Sequence, residues 1–451
     1  MSATEVQAEP ALAERRSRTP ADENVWRAFR AERRKLAAQL PLRVLVLVAI
    51  LGPIAFTAIL SSQSGVPADS LLGVWVHDSG LAPSVVVLSF AGTWGFPVMA
   101  GVLAGDLFSG EDRHGTWKTL LSRSCSRRDL FLGKVIAAMV FSIALVVLAA
   151  VASLLAGLIF VGSKPLVGLN GELLSTGRSF ALVAASWLVS ILPMLAFTSI
   201  AVLFSVATRN AIMGVLGPVI VALVMQLLAF FGAGSWMHML LVGSAFDDWH
   251  GLLRSGPFFG PLVIGSVVSI VWSLASLQVA WLILARREFA GPPVARRAGW
   301  VVPVRVVLAS AVVIAVLAAA LNIGPATVTS KRVEAAITPA FNSLTLLQQR
   351  ELGRTIPPGA KLKTLTTCRR RAGTSRGPGD DWTCTIDVFI PQPGANPFQQ
   401  TPVTYDLSVK NNGCYKADAP PSFVGQQQMR DAGGQSVVNP LFTIYGCFNP
   451  M

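Results

Sequence analysis

Charged side chains are scarce in this sequence of 451 residues, since only 14% are Asp, Glu, Lys or Arg while 52% are hydrophobic. A soluble domain carries about a quarter charged residues. The composition therefore excludes an ordinary soluble protein and predicts a membrane protein. The formal net charge is +13, but the basic residues mostly flank apolar segments, which is typical of membrane proteins. We predict no nucleic-acid partner.

Side chains that carry out catalysis are also few. The chain has four histidines and contains no HExxH or GxSxG sequence, which argues against a metal-dependent hydrolase and a serine hydrolase. Its Gly133-Lys134 pair lacks the upstream glycine and the following Ser or Thr of a phosphate-binding loop. We therefore predict no catalytic residues, no metal site, no cofactor bound by this chain and no ATPase site of its own. The predicted spans contain almost no ionisable residues, which disfavours an ion-coupled transporter.

Seven apolar segments are long enough to cross a bilayer core, which requires about 20 residues. They lie at 42–61, 83–105, 135–161, 179–206, 211–233, 261–285 and 304–323. Successive loops alternate between rich and poor in Lys and Arg, with 106–134 and 286–303 rich and 63–82 devoid of both. By the positive-inside rule, this alternation predicts a cytoplasmic N-terminus and an extracytoplasmic C-terminus.

Composition divides the chain into five parts. Residues 1–23 are polar and predict a disordered cytoplasmic tail. Residues 24–40 predict a basic amphipathic helix, which we place on the inner membrane surface in preference to a solvated position. The remaining parts are a six-span bundle at 41–290, a seventh span at 303–323 and an external domain at 324–451. Helical spacing at 331–352 and strand-like alternation at 381–391 and 401–410 predict an α+β fold for this domain.

Cysteine is rare, and four of the five cysteines follow the last predicted span. An even number of cysteines in a polar segment on the oxidising side of the membrane indicates two disulfides. Four cysteines allow three possible pairings. We favour Cys368–Cys384 and Cys414–Cys447, because sequential strand pairs are commonly joined in this way. A four-cysteine zinc site is the alternative, although closely spaced CxxC pairs are absent. The expected fold is an α-helical polytopic membrane protein with a small disulfide-bonded α+β extracytoplasmic domain.

Two further patterns concern helix packing. Gly101 and Gly105 have the spacing of a close helix contact, either within the chain or between subunits. Pro97, Pro193 and Pro218 lie inside predicted spans and could act as hinges, although kinks held static by packing are commoner.

A charged segment at 110–134, GEDRHGTWKTLLSRSCSRRDLFLGK, interrupts the apolar spans. The acidic pair at 111–112 favours the N-terminal end of a short helix, where the helix dipole is positive. Residues 116–121 can form one or two further helical turns, and 126–129 have the sequence of a cap for the next helix. A short helix between two spans is a surface on which another protein can act.

This segment resembles the signature loop of type-2 ABC transporter permeases, the membrane subunits of exporters that work with a separate ATPase. Their pattern has an acidic residue, then Gly-Thr, Leu-Leu-Ser, Ser-Arg and Gly-Lys before the next span. The matching positions, in the same order, are Glu111, Gly115-Thr116, Leu120-Leu121-Ser122, Ser126-Arg127 and Gly133-Lys134. The family usually has a proline before the Ser-Arg pair, where this chain has Ser124-Cys125. The resemblance covers residues 24–290, and the basic helix looks like the family's elbow helix.

The resemblance implies a function and a set of partners. The chain would be the permease of an ATP-driven exporter in a bacterial plasma membrane, paired with a second permease subunit as a homodimer or a sibling heterodimer. Membrane lipids are further expected partners, and ATP and Mg would be used by the ATPase subunit. That subunit would dock on the 106–134 loop through Glu111, Gly115, Thr116, Trp117 and Leu120. The alternative function is a non-transporting sensor or envelope-assembly protein that acts through its external domain.

Overall fold

The computed structural model describes residues 21–63, 70, 72–122, 126–230, 240–254, 256–287, 328–357, 362–371, 376–390, 399–410 and 412–448. The predictions for the tail up to residue 20 and for the seventh span at 303–323 lie outside these residues. Within them, six helical segments are long and apolar enough to cross a membrane. The chain is therefore a polytopic helical membrane protein, and a sheet-rich C-terminal domain follows the described spans.

The membrane part is a bundle of helices, and two of its membrane-spanning segments are each divided into two helices. Its described helices are α1 (Ala21–Ala38), α2 (Leu40–Ser62), α3 (Leu81–Phe90), α4 (Phe96–Ala104), α5 (Ser109–His114), α6 (Trp117–Ser122), α7 (Arg127–Phe160), α8 (Thr176–Val189), α9 (Ile191–Thr208), α10 (Ala211–Phe230) and α11 (Gly260–Ala285). A π-helical turn at Ala91–Gly95 joins α3 to α4 just before Pro97. The break between α8 and α9 at Ser190 comes just before Pro193. Both interruptions thus lie where a proline removes a backbone donor from the helix.

Glycines bring two of these helices into backbone contact. A Cβ on Gly101 would lie 2.3 Å from the Val215 carbonyl oxygen, and one on Gly214 would lie 2.0 Å from the Gly105 oxygen. Only glycine permits so close an approach of α4 and α10. The Gly101 and Gly105 pair therefore packs against a helix of the same chain.

The two ends of the bundle differ in what they contact. At one end, which we call the basic end, Arg287 joins Asp112 and the last turn of α9. At the opposite end, which we call the domain end, the loops after α7 and α10 meet, and the Leu169 N–H donates to the Leu253 oxygen over 2.7 Å. The C-terminal domain lies on the domain end.

The C-terminal domain packs a helix, α12 (Ser330–Glu351), against an antiparallel sheet in the order β1-β2-β3-β4-β7. Its elements are β1 (Lys363–Arg370), β2 (Gly379–Ile390), β3 (Gln399–Val409), β4 (Cys414–Asp418), α13 (Pro421–Val424), β5 (Gln428–Arg430), β6 (Ser436–Val438) and β7 (Thr443–Cys447). Trp382 and Ile386 are buried on one face of β2, and Tyr405 of β3 meets Phe341 of α12 edge-on at 6.1 Å. The helix and strands agree with the α+β prediction.

Two disulfides staple this sheet. Cys368 is joined to Cys384 and Cys414 to Cys447. Each bond links directly opposite residues of neighbouring antiparallel strands, β1 with β2 and β4 with β7. This is the pairing favoured from the sequence, and sulfurs held in disulfides are not the thiolates that ligate zinc.

A hairpin turn between α7 and α8 docks the domain on the bundle. Asn170 and Gly171 have φ of 73° and 74°, in the left-handed region that asparagine and glycine tolerate best. The Asn170 N–H donates to the Tyr445 oxygen over 3.0 Å, and its side-chain oxygen accepts from the Cys447 N–H over 3.2 Å. The turn therefore caps the edge of β7. It also touches α12, since a Cβ on Gly171 would lie 2.5 Å from Leu344.

The loop between α10 and α11 makes a second contact with the domain. The Lys410 ammonium lies 3.4 Å from the Asp247 carboxylate, and the Asn412 amide donates to the Asp247 backbone oxygen over 3.3 Å. Arg254 donates to the Cys447 oxygen over 3.2 Å. The domain is therefore held by two loops that connect different pairs of spans.

Glu351, at the end of α12, makes the stability of this arrangement dependent on pH. Burial and then the charges of Asp78 and Asp431 raise its pKa from 4.5 to about 7, while Lys164 opposes the rise. The folded protein favours the protonated form of Glu351. Its contribution to the free energy of unfolding is therefore fully present only below the pKa that the group has in the unfolded chain. That stability is lost as the pH rises through the folded pKa.

We expect Glu351→Gln to stabilise the full-length chain at neutral and alkaline pH. At about pH 8 the variant should unfold at a higher temperature, with a gain of up to about 2 kcal/mol after solvent screening. At about pH 4.5 the two proteins should differ much less, because the glutamate is then mostly protonated. Thermal unfolding in one detergent at both pH values measures this, and an equal shift at both would contradict it.

Candidate functional site

The charged segment folds as the sequence predicted. Glu111 and Asp112 lie in the first turn of α5, and Gly115 ends that helix with φ +64°, in the left-handed region that favours glycine. Helix α6 follows. The Ser126 hydroxyl accepts from the Asp129 N–H over 3.1 Å, and the Asp129 carboxylate accepts from the Ser126 N–H over 3.2 Å. This reciprocal pair is a capping box that starts α7.

An ion network formed by Glu32, Lys35, Glu111 and Lys134 lies beneath this segment; we call it the four-residue network. Lys35 is exposed, and the other three are buried. The Lys134 ammonium lies 2.9 Å from Glu32 and 2.9 Å from Glu111, and it donates to the Leu107 oxygen over 3.2 Å. The side chains of Lys134 and Glu111 are only 3% and 6% exposed. Lys35 reaches the same oxygen of Glu111 from α1. Charge-assisted hydrogen bonds thus join α1, α5 and α7.

Gly133 explains how Lys134 comes to meet α1. A Cβ at Gly133 would lie 2.6 Å from the Ala28 Cβ and 2.8 Å from the Phe29 nitrogen. The absence of a side chain lets α1 lie directly on α7, and the next residue then reaches Glu32. The Gly-Lys pair therefore has a structural role here, in which the glycine admits the helix and the lysine binds its carboxylate.

Arginines tie the same segment to the ends of α9 and α11. One nitrogen of Arg287 lies 2.9 Å and 3.1 Å from the two Asp112 oxygens, and the other donates to the Val206 oxygen over 3.0 Å. Arg127 donates to the backbone oxygens of Ala285 and Arg287 over 3.1 Å and 2.9 Å. A displacement of α5 would therefore act on α9 and α11 as well as on α1 and α7.

The five predicted docking residues differ in accessibility. Glu111 and Trp117 are buried. The half-buried members are Thr116 and Leu120. Gly115 is exposed, with nothing within 4 Å of a Cβ placed there. The exposed residues beside it are Arg113, His114 and Thr119. A docking protein would touch Gly115 directly, whereas Glu111 and Trp117 act by holding the helices in place.

Glu32, Lys35 and Lys134 also belong to the site, although they are not among the predicted docking residues. The available signal was the position of Glu32, which lies between Phe29 and Leu36 on the buried face of α1. A charged side chain inside an apolar stripe requires a partner of opposite charge. Among the described residues, no group of three or more His, Cys, Asp or Glu is placed to hold a metal ion.

The membrane part of the chain can be compared with known proteins. Residues 28–225 match the model of a family described as ABC-2 family transporter protein. No curated protein matches the chain significantly. The matched residues begin inside α1 and reach into α10, so they include Glu32, Lys35, Glu111 and Lys134 together with both short helices. The match covers less than half of the chain; it makes the membrane part similar to the ABC-2 transporter family and supports a permease role.

Proposed function

We propose that this chain is the permease subunit of an ATP-driven exporter and that a separate ATPase docks on residues 106–134. The partner subunit would use ATP and Mg, and a second permease subunit, identical or a sibling, would complete a dimer. The observation that carries this proposal is the four-residue network, because it connects the docking segment to the elbow helix α1 and to the long span α7. A surface loop without a mechanical role has no need of such buried charges.

Alternating access is the mechanism that we infer for this arrangement. When ATP draws two ATPase subunits together, they displace α5 and α6 at the accessible edge around Gly115. Lys134 passes the displacement to α1 and α7, and Arg287 passes it to α9 and α11. The spans then tilt as connected bodies and open a path between the two permease subunits.

We place the basic end in the cytoplasm and the domain end outside, in a bacterial plasma membrane. Arg113, Arg127 and Arg287 lie at the basic end, in agreement with the positive-inside rule. The two disulfides suit an oxidising compartment at the opposite end. The described chain leaves α11 at the basic end and continues in the domain at the other end. The proposed seventh span at 303–323 would account for this crossing.

Gly115 provides the test of ATPase docking. We expect Gly115→Trp to reduce co-purification of the ATPase at least about tenfold, because a bulky side chain at the exposed edge blocks close contact. Gly115→Asn is the matched control, since asparagine tolerates a positive φ and adds little bulk. The measurement is pull-down of a Walker-motif ATPase with the tagged full-length chain from native membranes, followed by the ATPase activity of the complex. Undiminished association of the tryptophan variant would refute the docking assignment.

The docked C-terminal domain favours one second candidate, a non-transporting sensor. Its contact with the loops after α7 and α10 would let an event at the domain reach the spans directly. On that hypothesis, deletion of 324–451 abolishes function while Gly115→Trp has no effect. The exporter proposal requires the tryptophan variant to lose ATPase association.

A further inference from the structure

The loop between α10 and α11 is inserted into the domain end of the bundle. Its described part, residues 240–254, contains two short 3₁₀ turns at Ser244–Phe246 and Asp248–Leu252; we call it the inserted segment. The side chains of Trp249 and Leu253 are fully buried. The inserted segment is therefore packed like a core element, although its backbone is that of a loop.

Phe246 of the inserted segment packs against two spans. Its ring centroid lies 5.5 Å from that of Phe96 in α4 and 5.9 Å from that of Phe197 in α9. The Phe246 side chain is only 4% exposed. A Cβ at Gly92, in the π-helical turn before α4, would lie 2.9 Å from the Phe246 Cβ. The absence of a side chain at Gly92 therefore leaves the room that Phe246 occupies.

Both spans that Phe246 contacts are interrupted near the contact. The π-helical turn at Ala91–Gly95 comes directly before Phe96. The break at Ser190 comes about two helical turns before Phe197. Such interruptions are the positions at which helices bend. A ring that packs against α4 and α9 beyond these points therefore constrains the angle between the two helices.

The C-terminal domain holds the residue next to Phe246. The Lys410 ammonium lies 3.4 Å from the Asp247 carboxylate, and the Asn412 amide donates to the Asp247 backbone oxygen over 3.3 Å. The same amide lies 3.5 Å from the His250 Nδ1. The Lys410 and Asp247 side chains are 57% and 40% exposed, and an ion pair so exposed contributes little stability. The domain therefore contacts both 3₁₀ turns through interactions that are easily broken.

We propose that the C-terminal domain keeps the bundle closed by holding Phe246 against α4 and α9. When the domain moves away from the inserted segment, Phe246 withdraws and the two helices tilt. This inference rests on the exporter function proposed above, in which tilting spans open a path. Transport then requires ATP at the basic end and release of the inserted segment at the domain end.

Gly92→Ala tests the contact from the side of the bundle. The added methyl group meets the Phe246 Cβ, which is fixed to the backbone, so the inserted segment itself must move. Gly95→Ala is the matched control, because it adds the same methyl group to the same π-helical turn, where the nearest contact is Ala91 at 3.7 Å. Hydrogen exchange of residues 240–254, measured by mass spectrometry on the full-length chain in nanodiscs, reports the movement.

Lys410→Glu tests the contact from the side of the domain. It places a second carboxylate beside Asp247, and the repulsion separates the domain from the inserted segment. Arg371→Glu is the matched control, because it makes the same charge reversal at another exposed ion pair of this domain, the one with Asp406. The same exchange measurement applies to both variants.

We expect Gly92→Ala and Lys410→Glu each to speed exchange in the inserted segment at least about threefold, while both controls match the wild type. In the complex with the ATPase, these two variants should also raise ATP hydrolysis without substrate, by about threefold if release of the segment limits turnover. Unchanged exchange in Lys410→Glu would overturn the role of the domain.

Faster exchange without a change in ATP hydrolysis would show that the inserted segment does not control the spans, and it would also overturn the proposal. The exchange measurement needs no ATPase. If no ATPase binds the wild type, the proposed exporter function fails, whereas the exchange result still decides whether the domain holds the inserted segment.

Discussion

Replacing Lys134 by methionine is expected to destabilise the protein by about 3 kcal/mol, near the lower end for a broken buried ion pair. The substitution leaves the carboxylates of Glu32 and Glu111 buried without their main partner, although Lys35 still reaches both. Methionine nearly matches the apolar stem of lysine and lacks only the ammonium group. The loss therefore mainly reports the charge and its hydrogen bonds, and only to a small extent the packing. Denaturant-induced unfolding of the full-length chain in one detergent measures this difference.

An exposed ion pair of similar length is the control. Arg113 lies 3.0 Å from Asp106, but the two side chains are 58% and 41% exposed. We expect Arg113→Met to cost less than about 1 kcal/mol, as for other surface pairs. A triple variant with Lys134→Met, Glu32→Gln and Glu111→Gln should recover part of the loss, because no buried charge is then left unpaired. If Lys134→Met and Arg113→Met lower the free energy of unfolding by the same amount, the four-residue network does not hold the helices together through buried charges.

Gly214→Val is the second substitution for which a large loss is expected. Its Cβ would lie 2.0 Å from the Gly105 oxygen and 2.8 Å from the Gly105 carbonyl carbon, which are backbone atoms that cannot rotate away. Helices α4 and α10 must then separate, and we expect a loss of about 3 kcal/mol. The same unfolding measurement applies.

Gly52→Val is the matched control for this substitution. Gly52 lies in span α2, and a Cβ there meets nothing closer than 4.0 Å. The control should be neutral or slightly stabilising, because valine has a better helix propensity than glycine. Comparable losses in the two variants would mean that the close approach of α4 and α10 contributes little.

Local patterns account for what the sequence predicted correctly. The apolar runs that form the spans, and the capping box of Ser126 and Asp129, depend on residues close to each other in the chain. The two disulfides followed from neighbouring strands with one cysteine each. The Cys368–Cys384 bond joins successive strands, whereas Cys414–Cys447 joins strands that are neighbours in the sheet but 33 residues apart in the chain.

The features that the sequence did not predict involve contacts between residues that are far apart in the chain. Glu32 was visible as a charge on an apolar helix face, but nothing in the sequence identified Lys134 as its partner. The spacing of Gly101 and Gly105 predicted a close contact, yet it did not distinguish Gly214 of the same chain from a second subunit. Glu111 was interpreted as part of a contact surface because its burial depends on α1, which lies far away in sequence. The partner of Glu32, the contact of Gly101 and Gly105 and the burial of Glu111 all depend on packing between elements that are distant in the sequence.

The docking turn at Asn170 has a consequence for how the protein is made. Its partner Cys447 lies 277 residues further along the chain, so the turn emerges from the ribosome long before the strand that it caps. Helices α8 to α11 and most of the C-terminal domain are synthesised in the interval. The Cys414–Cys447 bond fixes that strand in place. The contacts that dock this turn therefore form only after the strand that carries Cys447 has been synthesised.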